Sequence, residues 1–273
     1  MLTRIARCIS LAALILAAVA LPGSAAQTTP NPDQEQQLGA ELFDQLRSEA
    51  EIVKSSPLYA TLDPIAKAIT AAVQPGYPYP IHFYIVHEAQ PNAFAAPGGN
   101  VYVVDALFDF VKNREELAGT LCHETSHLLH HDSIKMMKDR QKIARRAVAA
   151  TILLGPSVGT VLAAGAIGEL DANHYSRDIE EQADLTGAET CARAGFNPWG
   201  LVWLFDDFSK SDLKSPPEFL SNHPDDAHRE QALKALFRAK PDEFARFDSD
   251  PVNASKLNLP AEETEVFLRP SPR

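Results

Sequence analysis

Residues His123-Glu124-Thr125-Ser126-His127 set two imidazoles four positions apart with a carboxylate beside the first. On an α-helix, positions four apart share a face, so both rings point to one place in space. Two histidines do not complete a metal site, so a further ligand has to come from a distant segment, and the pentapeptide constrains the tertiary fold as much as the local one. The pattern is that of a zinc centre with its own base: the histidines hold the ion while Glu124 leans toward the water that the ion activates, which implies hydrolysis, and peptide bonds are the leading substrate. About 0.02 accidental matches are expected for a chain of this composition. The competing interpretation is a solvated helix rich in histidine, since His130 and His131 follow directly. Context decides between them.

The pentapeptide lies within an apolar-periodic run. Asn113 and Glu116 stand in a capping-box relation and Leu117, Leu121 and Leu128 form a stripe, which predicts a helix from about residue 113. Strands are predicted over 81–86 and 101–104, the second after the Pro97-Gly98-Gly99-Asn100 turn. Further helices are predicted over 34–53, marked by Leu38, Leu42 and Leu46, and over 63–73, with Pro64 in the first turn. Others follow over 169–193, closed by Gly195 with Pro198 beyond, and over 199–247, broken at Ser215-Pro216-Pro217. The fold class is α+β and mainly helical, with a small β-sheet packed beside the H-E-x-x-H helix.

Residues 1–26 carry Arg4 and Arg7, an apolar core from Ile9 to Leu21 and a small-residue end at Ser24-Ala25-Ala26, the pattern of a cleaved secretory signal. Losing two arginines and no acid takes the net charge from −11 to −13, which argues against a nucleic-acid partner. The expected divisions are a signal peptide at 1–26, a zinc metallopeptidase domain at 27–248 and an extended tail at 249–273. Past Asp132 the chain turns basic and is read as a continuing solvated helix. Ala147 to Ile167 is uncharged and long enough to suggest a membrane span, but Gly155, Pro156, Gly159 and Gly165 make it weakly apolar. A pair of closely packed small-residue helices is preferred. Cys122 and Cys191 are read as two small buried residues rather than a disulfide.

The third ligand has few candidates. A metzincin would place a histidine six residues past His127, but that position is Ser133. Downstream, Glu180 and Asp184 lie four apart on one helix face, so one could ligate while the other supports. Three blocks now stand in order: Asn92-Ala93-Phe94-Ala95-Ala96-Pro97-Gly98-Gly99, then His123 to His127, then Glu180-x-x-x-Asp184. In these blocks the chain resembles the HtpX-like gluzincin metallopeptidases over roughly residues 34–235, and most closely their exported bacterial BepA/LoiP branch. Gln182 and His131-Asp132 depart from the family pattern without removing a ligand.

The resemblance implies a zincin-type domain, one Zn²⁺ per chain held by His123, His127 and Glu180, and Glu124 as general base on the zinc-bound water. It gives the acid at Asp184 a proton-donor role; physically, an Asp one turn from a ligating Glu is equally placed to fix a histidine tautomer. Asn92, Ala93, Phe94, Ala95, Gly98 and Gly99 are candidate substrate-binding residues, forming an edge on which an extended peptide adds as a strand. His223, in Asn222-His223-Pro224, is a candidate oxyanion partner, a fourth and inhibitory ligand, or a helix cap, with Arg177 as rival for the oxyanion. The expected function is an exported, periplasmic endopeptidase acting on unfolded or misassembled envelope proteins, soluble or peripherally membrane-associated. The alternative is a chaperone-like scaffold with little turnover.

Overall fold

The computed structural model describes residues 32–49, 51–139, 142, 175–210, 223, 227–260 and 266–267. The chain divides into two compact units, Met1–Asn31 with Ile134–His174 and Pro32–Ser133 with Tyr175–Arg273. Of the first unit, residues 134–139 and 142 are described, and they are helical. The signal peptide and the Ala147–Ile167 segment lie outside the described residues. Among those that are described, no helix is long and apolar enough to cross a membrane.

The larger unit is α+β and mostly helical. In chain order it holds α1 (Pro32–Ser48), β1 (Ile52–Ser55), α2 (Tyr59–Val73), β2 (His82–Val86), β3 (Ala93–Ala96) and β4 (Asn100–Val104). Then follow α3 (Asp105–Phe110), α4 (Arg114–Leu129), α5 (Arg177–Ala194), α6 (Trp199–Lys210), α7 (Ala227–Ala239), α8 (Pro241–Phe244) and β5 (Val266–Phe267). Among the described residues five strands form one sheet in the order β3-β4-β2-β1-β5, with β3 at an edge. β2 and β4 run parallel, while β3 pairs with β4 antiparallel, Phe94 opposite Tyr102 and Ala95 opposite Val101.

Strand alternation gives the sheet two buried faces. Val101, Val103, Ile85 and Ala93 join the helical core, whereas Tyr102, Val104, Val86 and Ile52 pack with Leu46 of α1. Two sequence expectations are corrected here. The first helix stops at Ser48 and Ile52–Ser55 form a strand, because β-branched Ile52 and Val53 complete the sheet rather than a helix face. Pro64 lies inside α2 rather than in its first turn, since that helix begins at Tyr59. One missing N–H is offset by burial of Leu62, Ile65 and Ile69 on either side.

α4 begins as its capping box implies: the Asn113 side chain accepts from Glu116 N–H at 2.9 Å, and Glu116 Oε2 accepts from Lys112 N–H at 2.7 Å. Burial pushes the Glu116 carboxyl up to about 7 against the opposing hydrogen bond from Lys112. The anticipated single stripe is too narrow a description, because every residue from Glu115 to Leu128 is buried. α5 reaches it closely at Gly187, where an added Cβ would lie 3.1 Å from His123 N and 3.2 Å from the Cys122 carbonyl. That approach brings the Cα atoms of Cys122 and Cys191 to 5.8 Å, and the two cysteines form a disulfide between α4 and α5. The expectation of two unpaired cysteines is corrected by this helix contact, which sequence spacing does not reveal.

α4 also ends sooner than the periodicity suggested. His130 is its C-cap and His131 takes φ of 53° before the chain turns helical again over 132–139. α5 starts on the Ser176 cap and closes on Gly195 at φ 87°, as its Gly-x-x-Pro ending implied. The described part of the tail is tied down: Trp203 Nε1 donates to Ser249 O, and Ser255 N–H donates to the Glu115 carboxylate at the start of α4.

Candidate metal centre

His123 and His127 project from consecutive turns of α4 and are buried at 0% and 1% exposure. Their Nε2 atoms lie 3.1 Å apart. The two nitrogens face one point between the rings, and each ring is held by its other nitrogen. His123 Nδ1 meets Asp184 Oδ1 at 2.8 Å and His127 Nδ1 meets Asp132 Oδ2 at 3.0 Å. With Nδ1 held by a carboxylate, each ring is oriented so that its Nε2 faces the shared space.

α5 supplies the oxygen donor. Glu180 Oε2 lies 3.4 Å from His123 Nε2, and Oε1 lies 3.7 Å from His127 Nε2. His223 completes the group, its Nδ1 2.9 Å from Glu180 Oε1 and 3.2 Å from His123 Nε2. One ligand atom from each of His123, His127, Glu180 and His223 fits within 4.8 Å of all the others, and all four residues are buried. A tetrahedral zinc ion with bonds of about 2.0–2.1 Å separates its ligand atoms by about 3.3 Å. The distances of 2.9 to 3.7 Å bracket that demand, and a set of three nitrogens and one oxygen is a zinc set. The residues therefore fit the ion.

The electrostatics agree with a site built around charge. Burial alone would raise the Glu180 carboxyl, but the His223 charge and hydrogen bonds from His123 and His223 hold it below the ordinary carboxylate range. Burial likewise works against Asp184, and Arg229 overcomes it, so this carboxyl too stays low. His127 is pushed down, first by burial and then by the charges of His123 and His223, against its bond to Asp132. That direction favours the neutral ring that metal ligation requires.

Glu124 stands apart from the donor set. Its Oε2 accepts from Ala95 N–H of β3 at 2.9 Å, and its Oε1 lies 3.5 Å from His223 Nε2 with no hydrogen bond among the described residues. The edge strand therefore touches the catalytic candidate directly. Asn92 O accepts from Val104 N–H at 2.9 Å, so the alternation directs the backbone groups of Ala93 and Ala95 away from β4, where Ala95 meets Glu124 and Ser133. Phe94 lies on the opposite sheet face, stacked on Tyr102, and Gly98 and Gly99 take φ of 79° and 97° in the turn that follows. Arg177 is exposed on the first turn of α5. The capping alternative for His223 concerns residues 224–226, outside the described residues.

Sequence reasoning missed three members of the site. Asp132 lies five positions beyond His127, off its helical face, and only the reversal at His130 and His131 returns it to the ring. Tyr175 stacks on His127 with centroids 4.3 Å apart and bonds Ser133 Oγ at 3.0 Å; burial keeps its phenol protonated. Arg229, 1% exposed, donates to both Asp184 oxygens at 2.7 Å, lies 3.1 Å from Glu180 Oε2, and donates to the His223 carbonyl at 3.1 Å. One signal was available: Arg229, Leu233 and Phe237 repeat every four residues, which sets a charge on an apolar stripe.

Comparison with known proteins bears on the same residues. The model of peptidase family M48 matches residues 60–237, a span that holds every residue of this centre. A beta-barrel assembly-enhancing protease of Yersinia pestis is 29% identical over 212 residues, covering 74% of this chain and 43% of that protein. Its counterpart in Escherichia coli strain K12 is 27% identical over the same shares. Metalloprotease YcaL of that strain is 28% identical over 187 residues, 66% of this chain and 70% of the relative. The chain spans 43% of the length of the first two relatives.

Proposed function

The chain belongs to peptidase family M48, a family of zinc-dependent metallopeptidases, and from that premise we propose that it is an exported endopeptidase acting on unfolded or misassembled envelope proteins in the periplasm. The observation that carries the reading is the placement of Glu124 between a four-donor cluster and the open edge of β3. The envelope substrate class is supported by relatives named for enhancing beta-barrel assembly.

In this reading His123, His127 and Glu180 hold one zinc ion per chain. When bound, zinc supplies Lewis acidity for amide hydrolysis. Glu124 is the general base: Ala95 N–H pins Oε2, which leaves Oε1 to take a proton from the attacking water and return it to the leaving amine. Asp184 acts on the site through His123, fixing its tautomer, rather than as a proton donor; its oxygens are already engaged by His123 and Arg229. Ala93 offers an extended substrate its outward backbone groups, Ala95 ties the strand to Glu124 through its N–H and to Ser133 through its carbonyl, and Asn92, Phe94, Gly98 and Gly99 shape the strand and its turn. Incubating the purified chain with casein, with and without a chelator, tests the whole reading. Chelator-sensitive cleavage is expected; casein binding with no such cleavage would establish the scaffold alternative instead.

His223 is assigned the fourth donor position. A closed set of four protein ligands leaves no open position, the mark of a resting rather than a working zinc site. His223→Ala is therefore expected to raise casein cleavage by about tenfold if roughly nine molecules in ten rest closed. A large loss of rate would make His223 catalytic, and an unchanged rate would remove it from the site's chemistry.

A further inference from the structure

α1 lies outside the residues matched by the family model, which begin at residue 60. It nevertheless sends a buried carboxylate to the metal helix and the edge strand. Glu35 is 2% exposed. Its Oε1 accepts from Tyr77 Oη at 2.7 Å and, at the 3.5 Å limit, from Gly98 N–H in the turn that closes β3. Its Oε2 meets His131 Nδ1 at 2.9 Å, immediately beyond the C-cap of α4. A single side chain thus touches the turn after the edge strand and the end of the helix that carries His123, Glu124 and His127.

The contact is built closely around it. Gly39, one turn along α1, meets the Pro97 carbonyl so tightly that an added Cβ would lie 2.1 Å from that oxygen. Gly98 at φ 79° packs against the backbone of Gln36 and Glu35. His131 holds φ of 53°, a left-handed conformation that non-glycine residues adopt reluctantly, and its ring lies 5.5 Å from that of Tyr77. A strained residue persists where its surroundings fix it, and here Glu35 and the Tyr77 ring hold the side chain while Leu128 O accepts from the His131 N–H. On α1 the buried positions Glu35, Gly39 and Leu46 share one face, so a charge has been placed where periodicity asks for an apolar residue.

We propose that Glu35 is a positioning residue for substrate binding, through which α1 clamps the turn at 97–99 to the end of α4 and so sets β3 at its distance from Glu124. The consequence follows from the Ala95 N–H bond to Glu124: the strand that receives substrate and the base that serves it stay in register only while the turn and the helix end move together. The proposal rests on the reading of β3 as the substrate strand. Glu35 touches neither the donor set nor Glu124, so its removal is expected to weaken substrate binding and to leave the chemical step intact.

Three variants of the full chain test this, Glu35→Ala, Glu35→Gln and Gly39→Ala, the last acting by steric displacement at Pro97. In Glu35→Ala, KM for a casein-derived peptide is expected to rise about tenfold, the effect of losing a charge-assisted hydrogen bond, with kcat and zinc content kept. Amide hydrogen exchange across 93–99 is expected to quicken by a similar factor in all three, and Glu35→Gln, which keeps an acceptor for Tyr77, to show the smaller change. Unchanged KM and unchanged exchange overturn the clamp, as does a fall in kcat or zinc content with KM unmoved. If Glu35→Ala does not fold, Glu35→Gln and Gly39→Ala carry the test. A wild-type chain with no chelator-sensitive cleavage refutes the peptidase reading, while exchange across 93–99 still decides the clamp separately.

Discussion

Replacing Glu124 by Gln is expected to cut the rate of casein cleavage by about 10²–10⁴-fold, the range over which a positioned base or acid contributes, while zinc content stays at one per chain. The two halves of that result come from different features of the centre. Glu124 is not among the donors His123, His127, Glu180 and His223, so its loss removes no ligand. Gln is nearly isosteric, and its carbonyl oxygen can accept from Ala95 N–H as Oε2 of Glu124 does at 2.9 Å, so the side chain keeps its place and the edge strand its contact. What Gln cannot do is take up a proton at the second position, where Glu124 Oε1 is buried without a hydrogen bond among the described residues. Metal analysis beside a single-turnover assay checks both halves. A fall of less than threefold would remove Glu124 as the base, and a fall accompanied by loss of zinc would make its role structural.

The sequence marked His123, His127, Glu180 and Asp184 because their pairing is local, while the choice of Glu180 as ligand came from the resemblance. Two histidines four apart and two acids four apart each declare a shared helix face, and each pair fell where its spacing implied, on α4 and α5. The sheet was half legible: β2 and β4 are dense in β-branched and aromatic residues, whereas β3 is Ala-Phe-Ala-Ala and β5 is a pair of residues that only tertiary pairing makes a strand. Elements whose identity depends on a partner were hidden for the same reason. Cys122 and Cys191 pair because Gly187 lets α5 approach α4, and nothing within either helix records that approach. Asp132 reaches His127 only through a left-handed residue at His131, a position where sequence favours glycine or asparagine. Glu35 and Arg229 had a faint mark, a charge on an apolar stripe. Such a mark says that a group is buried without saying what it meets.

Arg229 carries the other large expected effect. Its guanidinium pairs with both oxygens of Asp184 at 2.7 Å, stands over the Phe205 ring at 4.7 Å, and meets Glu180 Oε2 and the His223 carbonyl at 3.1 Å. Arg229→Ala leaves Asp184 buried with its charge uncompensated on that side, a change that costs about 3–5 kcal/mol in comparable pairs. The sign with pH follows from the depressed Asp184 carboxyl, which burial opposes and Arg229 enforces. Such a group stabilises the fold above its unfolded value of 3.8 and releases that stabilisation only as acid protonates it in the folded state. Removing Arg229 is therefore expected to lower the midpoint of thermal unfolding most at neutral pH, and to shrink the gap between wild type and variant as pH falls below about 4. Arg229→Lys separates charge from geometry: one ammonium cannot make the paired contacts of a guanidinium, so His123 loses its fixed orientation and zinc affinity is expected to drop about 10–100-fold by chelator competition. Equal zinc affinity in Arg229→Lys, with an unchanged pH profile in Arg229→Ala, would reduce Arg229 to a space-filling residue and leave Asp184 to hold His123 unaided.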